Sequence, residues 1–201
     1  MTIFFNKEMH IRRDGEISMY CSAYVSPIGR ITLAGDGNGL AGLWIDGQRY
    51  HGRELFKDMI EKNDLPILVR AKEWLDRYFA GKRPDISELP LSPVGSEFRR
   101  TVWKILCEIP YGETITYGDV AKTAAIKMNR DRMSCRAVGG AVGRNPISII
   151  IPCHRVVGSD GDLTGYAGGI DVKMRLLEHE GADTQRLFVP KKGAAARTER
   201  A

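Results

Sequence analysis

The segment that most constrains this chain is an apolar run that leads directly into a cluster of reactive side chains. Residues 147–151 (Ile-Ser-Ile-Ile-Ile) predict a buried strand. Cys153, His154 and Arg155 follow Pro152, so a thiol, an imidazole and a guanidinium stand side by side where the core is expected to end. A cysteine beside a histidine can ionise to the thiolate, which is the nucleophilic form. The pair alone is weak evidence for catalysis, because an ordinary buried cysteine next to a surface histidine gives the same dipeptide.

The length and composition are typical of a soluble globular protein. The chain has 201 residues, enough for one or two domains with a hydrophobic core, and 43% of them are apolar. No apolar run approaches the roughly 20 residues that a membrane-spanning helix needs. Residues 1–8 lack the basic start and long apolar core of a secretory signal, so we expect a cytoplasmic protein.

The four cysteines are widely spaced and form no CxxC pair. This spacing argues against a disulfide framework in a domain of this size and against a dedicated zinc site, which needs clustered ligands. The net charge of +5 permits a polyanionic partner without requiring one. Basic residues gather just upstream of the Cys-His pair, where a solvated helical face is the alternative explanation. They are Lys122, Lys127, Arg130, Arg132, Arg136 and Arg144.

The first half of the chain predicts a small α/β unit. Strands are expected over residues 19–24, 30–34 and 40–45, with turn residues between them, which gives a three-stranded antiparallel sheet. A helix begins at Pro66 and stops at Gly81. Residues 82–95 contain three prolines and little periodicity, which indicates a linker, so an N-terminal domain of residues 1–92 including this linker is expected.

The second half predicts a mostly helical domain over residues 93–185, which makes the chain α+β overall. Ser96, Thr116 and Ser134 are good N-caps for three successive helices, and Asp119 stands at the capping-box distance from Thr116. The second and third of these helices are short and joined by a turn, which makes them a helix-turn-helix candidate. A closing helix covers residues 171–179, and residues 186–201 are expected to be a basic, disordered tail.

The third helix of this domain has almost no side-chain bulk. Its residues 137–143 are Ala-Val-Gly-Gly-Ala-Val-Gly, although glycine in a helix interior costs about 1 kcal/mol relative to alanine. Close approach of another backbone is the usual reason for such glycines. A helix that identifies bases in the major groove would instead carry Arg, Asn and Gln along this face. The composition therefore favours docking on nucleic acid without sequence selection.

Taken together, residues 96–181 resemble the O6-alkylguanine-DNA alkyltransferases, which are methylated-DNA–protein-cysteine methyltransferases. The first half resembles the small N-terminal domain of that family more loosely, through its Ser26–Gly29 turn and Gly39-Leu40. The matching segments of the second half are Phe98 with Val102-Trp103, Tyr111-Gly112-Glu113 with Thr116-Tyr117, residues 136–141, Asn145-Pro146, residues 151–156, residues 165–169, and Leu177 with His179-Glu180-Gly181.

The resemblance implies a catalytic role for five residues. Cys153 would be the nucleophile that takes the alkyl group, His154 its base through a water, and Glu180 the partner that holds the imidazole. Asn145 would support the turn around the cysteine. Tyr117 would donate toward the guanine ring and help to rotate the nucleotide out of the stack.

The resemblance also implies a DNA-binding face and a pocket for the flipped base. Arg136 would fill the gap left in the base stack, while the small residues after it would let the recognition helix lie in the minor groove. The expected DNA-binding residues are Tyr117, Cys135, Arg136, Ala137, Gly139, Gly140, Arg155 and Ser159. The expected pocket residues are Tyr166, Ala167 and Gly168.

The function implied is direct damage reversal in DNA. The alkyl group of O6-alkylguanine in duplex DNA would pass irreversibly to Cys153, once per molecule, after the base is flipped; O4-alkylthymine is an additional candidate substrate. The resemblance implies double-stranded DNA as the partner of a monomer, with no cofactor, no membrane and no obligate protein partner.

Two features depart from the family pattern. The region 126–132 is several residues longer than in many relatives. Some relatives bind zinc in the N-terminal domain, but Asp36 and Ala41 stand at the aligned positions, and His10, Cys21 and His51 are scattered, so no metal is expected.

Two other functions compete with alkyl transfer. A Cys-His hydrolase or acyltransferase would need an oxyanion hole and would leave the glycine-rich helix and Tyr117 unexplained. A DNA-binding protein without chemistry would have no use for Cys153, His154 and Glu180 together.

Overall fold

The computed structural model describes residues 19–49, 52, 58–163 and 165–189. His10, His51 and the end of the predicted tail from residue 190 onward lie outside the described residues. Within the described ranges, no group of three or more His, Cys, Asp or Glu side chains is arranged to hold a metal ion.

The N-terminal sheet has the three antiparallel strands that the sequence predicts. They are β1 (Tyr20–Ser26), β2 (Gly29–Gly35) and β3 (Leu40–Ile45), and β2 lies in the middle. A fourth strand, β4 (Ile60–Glu61), pairs in parallel with the free edge of β1. The sequence did not reveal β4, because a strand of two residues has no periodicity to recognise.

One long helix covers this sheet. Helix α1 (Pro66–Phe79) begins with proline at its first turn, where the missing N–H costs nothing, and it contacts β1, β2 and β3. Its buried face includes Leu68, Trp74 and Tyr78. The linker after α1 is not featureless, since residues 86–88 form a capped 3-10 turn.

Four more helices build the C-terminal part. They are α2 (Glu97–Cys107), α3 (Tyr117–Lys127), α4 (Cys135–Val142) and α5 (Ile170–His179). Helices α2, α3 and α4 pack against one another, and α3 and α4 are the two helices of the predicted helix-turn-helix.

The predicted N-caps account for where these helices begin. Ser96 Oγ accepts from the backbone N–H of Arg99, and Thr116 and Asp119 form a complete capping box. Ser134 Oγ accepts from the backbone N–H of Ala137. Residues 126–132 form the end of α3 and the turn that follows it.

The prediction of a buried strand over residues 147–151 is wrong. The segment is buried, but it folds into turns, and Ile149 adopts a left-handed φ of 69°. Its backbone groups bond locally: Ile150 N–H donates to Ser148 O, and Ile151 N–H to Ile147 O. Apolar content identified the burial of this segment but could not distinguish a strand from a buried turn.

The N-terminal and C-terminal parts share one hydrophobic core. A single cluster of buried side chains includes Leu43 and Leu75 from the first part and Leu106 and Ile150 from the second. Strand β3 also bonds to the turn before the active site, because Leu43 N–H donates to Pro146 O at 2.9 Å and Ser148 N–H donates to Leu43 O at 3.0 Å.

The chain beyond α5 returns to the C-terminal part. Phe188 N–H donates to Gly161 O, and Leu163 N–H donates to Phe188 O at 3.1 Å. The first residues of the predicted tail, 186–189, include Phe188, which pairs with this segment. Among the described residues, no helix has the length and apolar character to cross a membrane.

Candidate active site

The cysteine of the Pro-Cys-His-Arg segment is held in the interior by an asparagine. Cys153 opens a 3-10 turn and is 4% exposed. The side-chain amide of Asn145 donates to Cys153 Sγ at 3.0 Å and to Ile151 O at 2.7 Å, while its oxygen accepts from Ile147 N–H. The amide therefore replaces the hydrogen bonds that a strand would have given this segment, and it positions the sulfur.

The surroundings of Cys153 favour a neutral thiol at rest. Burial raises the pKa of the thiol to about 11, although the Asn145 hydrogen bond and the positive charge of Lys173 act in the opposite direction. A base is therefore needed to remove the proton when the sulfur reacts.

The carboxylate of Glu180 is the centre of a buried hydrogen-bond network. Its Oε1 accepts from Tyr78 Oη at 2.7 Å, from His154 Nε2 at 2.8 Å and from Arg155 Nη2 at 3.0 Å. Its Oε2 accepts from Arg155 Nε at 2.8 Å and from Gly112 N–H at 3.2 Å. Burial by itself would raise the pKa of Glu180, but the hydrogen bonds from His154 and Arg155 and the positive charge of Arg155 hold it well below its usual value. The group is a carboxylate and can only accept.

This network fixes the tautomer of His154. Because Glu180 only accepts, the proton lies on His154 Nε2, and Nδ1 carries the lone pair. Nδ1 is buried and has no hydrogen-bond partner among the described residues. Burial lowers the pKa of His154, against the opposing effect of Glu180, so the imidazole is neutral and can act as a base.

Arg155 lies inside the protein, which corrects its assignment to the DNA-binding face. It is 6% exposed, forms a two-pronged ion pair with Glu180 and donates through Nη1 to Ile109 O at 2.6 Å. A guanidinium committed to these acceptors has no free edge for a phosphate or a base. The family resemblance implied a role at the DNA surface, but the fixed fork of the arginine matches the carboxylate.

Lys173 is a buried cation that the sequence analysis did not select. It lies on α5, is fully buried, and its Nζ donates to Val156 O at 2.6 Å and to Leu163 O at 3.3 Å. Burial lowers its pKa to about 8, while Cys153 and Asp162 act to raise it. The amphipathic pattern of α5 marked the positions on either side of Lys173 as apolar and gave no signal for a buried lysine.

A groove of about 750 Å³ runs beside the predicted recognition helix. Gly139 and Gly140 of α4 line one side of it, together with Arg144 just after the helix, and the predicted pocket loop lines the other with Tyr166, Ala167 and Gly168. Cys135, Arg136 and Ala137 are exposed on the first turn of the same helix. The glycine-rich helix and the predicted base-pocket loop therefore face a common space.

The N-terminal part also reaches this groove. Gly47 and Arg49 belong to its lining, and Arg49 N–H donates to Ala167 O at 3.0 Å. No pattern along the sequence indicates this contact, because the two segments are more than 100 residues apart. Ser159, in contrast, is exposed in the turn after the short strand Val156–Val157 and is not part of the groove lining.

Tyr117 lies between the cysteine and the groove. It is the first residue of α3, and a Cβ on Gly165 would lie 2.8 Å from its hydroxyl oxygen. Gly165 also has a φ of +92°, so both its conformation and its neighbour require glycine. Burial, with the nearby Cys153 and Asp162, raises the pKa of Tyr117 to about 12, which keeps its phenol protonated as a donor.

Two family models match the chain. Residues 97–182 match the 6-O-methylguanine DNA methyltransferase, DNA binding domain, and residues 19–93 match the ribonuclease-like domain of the same proteins. The chain belongs to the methylated-DNA–protein-cysteine methyltransferase family. Its activity is therefore the transfer of a methyl group from DNA to a cysteine of the methyltransferase itself.

Curated relatives agree with this assignment. The methyltransferase is 47% identical to a methylated-DNA–protein-cysteine methyltransferase of Methanosarcina barkeri, over 81% of this chain and 97% of that protein. It is 39% identical to the Haemophilus influenzae protein of the same name, over 81% of this chain and 87% of the relative.

Solved structures show the same fold. The O6-methylguanine methyltransferase of Mycobacterium tuberculosis superposes with a TM-score of 0.68 at 38% identity, covering 86% of this chain and 96% of that one. A structure of the Mycobacterium tuberculosis protein OGT in complex with DNA gives 0.67 at 39% identity, covering 84% and 94%. Both the α+β fold and a DNA-binding function are thus established for this methyltransferase.

Proposed function

We propose that this methyltransferase reverses O6-alkylguanine damage in duplex DNA by one irreversible transfer of the alkyl group to Cys153. The observation that carries the proposal is the chain of contacts from Asn145 to Cys153 and from His154 to Glu180 inside one buried site. A soft sulfur nucleophile suits displacement at the alkyl carbon, and the thioether that forms has no route back to the thiol. Each molecule therefore reacts once.

The proton of the thiol leaves through His154. Nδ1 is the free acceptor of that ring, and we assign it the role of base, acting on Cys153 through one bridging water. As the imidazole becomes positive, the carboxylate of Glu180 stabilises it at 2.8 Å. Glu180 stays ionised throughout, because Arg155 already balances its charge.

The guanine leaves as the bond between its oxygen and the alkyl carbon breaks. The electron pair of that bond passes to the guanine, which then takes up one proton. This proton balances the one that the thiol lost. Tyr117, whose hydroxyl borders Gly165 at the mouth of the site, is the donor that we assign to the guanine ring. A hydrogen bond that strengthens as charge develops on the ring lowers the barrier to its departure.

The target atom lies within the base stack, so the nucleotide must turn out of the duplex into the groove. Helix α4 presents the features that this step needs. Its half-buried glycines allow the DNA backbone to come close, and Arg136 is exposed on its first turn, where it can enter the gap that the base leaves. Arg49 and Arg144 flank the groove and can contact phosphates.

The test is the mass of the intact protein after incubation with a duplex that contains one O6-methylguanine, followed by peptide mapping. We expect a gain of one CH2, located on Cys153, that stops at one per protein. Cys153→Ser should bind the duplex and gain nothing, whereas Cys21→Ser, which removes a half-buried cysteine of β1 outside the site, should react as the wild type does. Binding without any mass gain in the wild type would favour the non-catalytic alternative.

A further inference from the structure

We infer that Tyr78, a residue of the N-terminal part, is a positioning residue for the catalytic network through its hydrogen bond to Glu180. This inference rests on the proposed function of Cys153, His154 and Glu180. It assigns to helix α1 a direct part in activating the cysteine, in addition to its place in the core.

The contact is short, buried and specific in its geometry. Tyr78 Oη donates to Glu180 Oε1 at 2.7 Å, and this same oxygen accepts from His154 Nε2. The Tyr78 side chain is 1% exposed and Glu180 is 2% exposed, so water does not compete for the bond. The phenol and the imidazole therefore share one carboxylate oxygen, and the position of each donor constrains the other.

The backbone of Tyr78 is tied to the same region. His179, the residue before Glu180, makes a 2.8 Å hydrogen bond from its Nε2 to Tyr78 O. The ring of Tyr78 also lies 5.1 Å from that of His179 and 6.0 Å from that of Tyr111. The end of α5 is thus held against the end of α1 at three points, which fixes where the carboxylate of Glu180 lies.

The electrostatic consequence has a definite sign. The titratable and charged groups that act on the Glu180 carboxylate are the phenols of Tyr78, Tyr111 and Tyr166, the imidazole of His154 and the guanidinium of Arg155; Lys173 acts on His154 from α5. Removal of the Tyr78 hydroxyl leaves more of the carboxylate's negative charge uncompensated at Oε1. A more negative neighbour favours protonated His154, so the base loses its free lone pair at a higher pH than before.

The experiment compares Tyr78→Phe with the wild type, using free O6-methylguanine base so that DNA docking and base flipping do not contribute. The rate of alkylation of Cys153, followed by intact mass, should fall about tenfold, which is the scale of one lost hydrogen bond to a charged group. The pH at which the rate reaches half its plateau should move upward. Affinity for an unmodified duplex should stay at the wild-type value.

Tyr24→Phe is the matched control. Tyr24 also belongs to the N-terminal part and also donates to a carboxylate at 2.7 Å, but its partner is the exposed Asp76, away from the network. This variant should keep both the rate and the pH midpoint of the wild type.

Two results would overturn the inference. One is a Tyr78→Phe rate equal to that of the wild type; the other is a rate lowered by the same factor at every pH, with an unchanged midpoint, which would mean that Tyr78 only contributes packing. In both cases the wild type still reacts, so the proposed function stands. Absence of any reaction in the wild type would remove the proposed function and this inference together.

Discussion

The carboxylate of Glu180 faces two partners that carry or can acquire positive charge, and in the resting site only Arg155 is charged. The buried ion pair is therefore balanced before catalysis, and His154 can wait as a neutral base. Desolvation of an ion pair is tolerable only when both charges keep good geometry and further hydrogen bonds, and the five donors to Glu180 provide these. Loss of the carboxylate charge should accordingly affect stability as well as rate.

Glu180→Gln should destabilise the protein and abolish most of the transfer. The substitution leaves the Arg155 guanidinium buried without a counter-charge, a change that costs about 3–5 kcal/mol in comparable buried pairs. Urea unfolding gives the free energy of unfolding, and intact mass gives the transfer rate. Glu88→Gln is the control, since its ion pair with Arg77 is on the surface and should contribute little. Equal stability of the two variants would contradict the assignment of Glu180 to a buried network.

Acidification should weaken the folded state in two stages. Burial lowers the pKa of His154 in the folded protein. The contribution of this residue to the free energy of unfolding is therefore fully present above the unfolded pKa of about 6.5, and it is lost as the pH falls through the pKa of the folded state. Glu180, whose folded pKa is also lowered, adds a second loss below about pH 4.3. Unfolding free energies measured at a series of pH values from 8 downward test this. His154→Gln should flatten the first stage and leave the second; an unchanged profile would contradict the prediction.

At the scale of elements, helix α4 combines poor intrinsic stability with a defined surface. It has eight residues, its N-cap is Ser134, and Trp103 Nε1 donates to Ala141 O at 2.9 Å, which holds it to α2. A Cβ on Gly139 or Gly140 would meet only ordinary contacts, at 3.9 Å from Tyr117 and 3.5 Å from Arg144. The packing of the fold therefore does not require glycine at these two positions. We attribute the two glycines to the groove that they line.

Gly139→Ala should stabilise the protein while weakening its action on duplex DNA. Alanine in a helix interior is favoured over glycine by about 1 kcal/mol, and the space at this position admits the methyl group. Gly139 lines the groove, so we expect the added methyl group to hold the DNA backbone away from α4. Urea unfolding, duplex affinity and the transfer rate with free base are the three measurements. A duplex affinity equal to that of the wild type would contradict the docking role of α4.

Local signals predicted most of the elements, and long-range contacts explain what was missed. Helices α2, α3 and α4 begin where Ser96, Thr116 and Ser134 predicted, because an N-cap is a contact over three residues. The strand predicted at 147–151 was wrong because the segment satisfies its backbone groups through local turns and through the side chain of Asn145, which no periodicity shows.

The distinction between local signals and long-range contacts also applies to the candidate site. The sequence and the family resemblance named Cys153, His154 and Glu180 as a set, and the structure brings the last two within hydrogen-bond distance. The inward orientation of Arg155 depends on a carboxylate 25 residues away, and the role of Tyr78 on one 102 residues away. Neither could be predicted from neighbours along the chain.

For the molecule as a whole, the two parts are joined more closely than a flexible linker would require. Buried side chains from both belong to one cluster, and the bonds of Leu43 to the turn at Pro146 and Ser148 cross the boundary. Gln48 extends this contact, because its side-chain oxygen accepts from Ile45 N–H and from Ser148 Oγ. A boundary near residue 92 divides the sequence but does not divide the core.

Calorimetric unfolding of the full chain should therefore show one cooperative transition. Separation of the parts would break the hydrogen bonds of Leu43 to the turn at Pro146 and Ser148 and would expose side chains of the shared core, at about 1.5–3 kcal/mol for each fully buried one. The measurement compares the calorimetric enthalpy with the van't Hoff enthalpy, which agree for a two-state transition. Two resolved transitions would show that the parts unfold independently.

In the proposed mechanism the reactive cysteine is the buried Cys153 and not the accessible Cys135, which is the reverse of the usual relation between accessibility and reactivity. Cys135 is exposed and Cys153 is buried, with Cys107 also buried and Cys21 half-buried. A bulky maleimide will therefore label Cys135 and leave Cys153, the proposed nucleophile, unlabelled. A count of free thiols with such a reagent would give the same value for the alkylated and the unreacted protein. Replacement of Cys135 by serine would leave only half-buried and buried thiols, so the slow maleimide labelling that remains would report how often the folded protein opens to expose them.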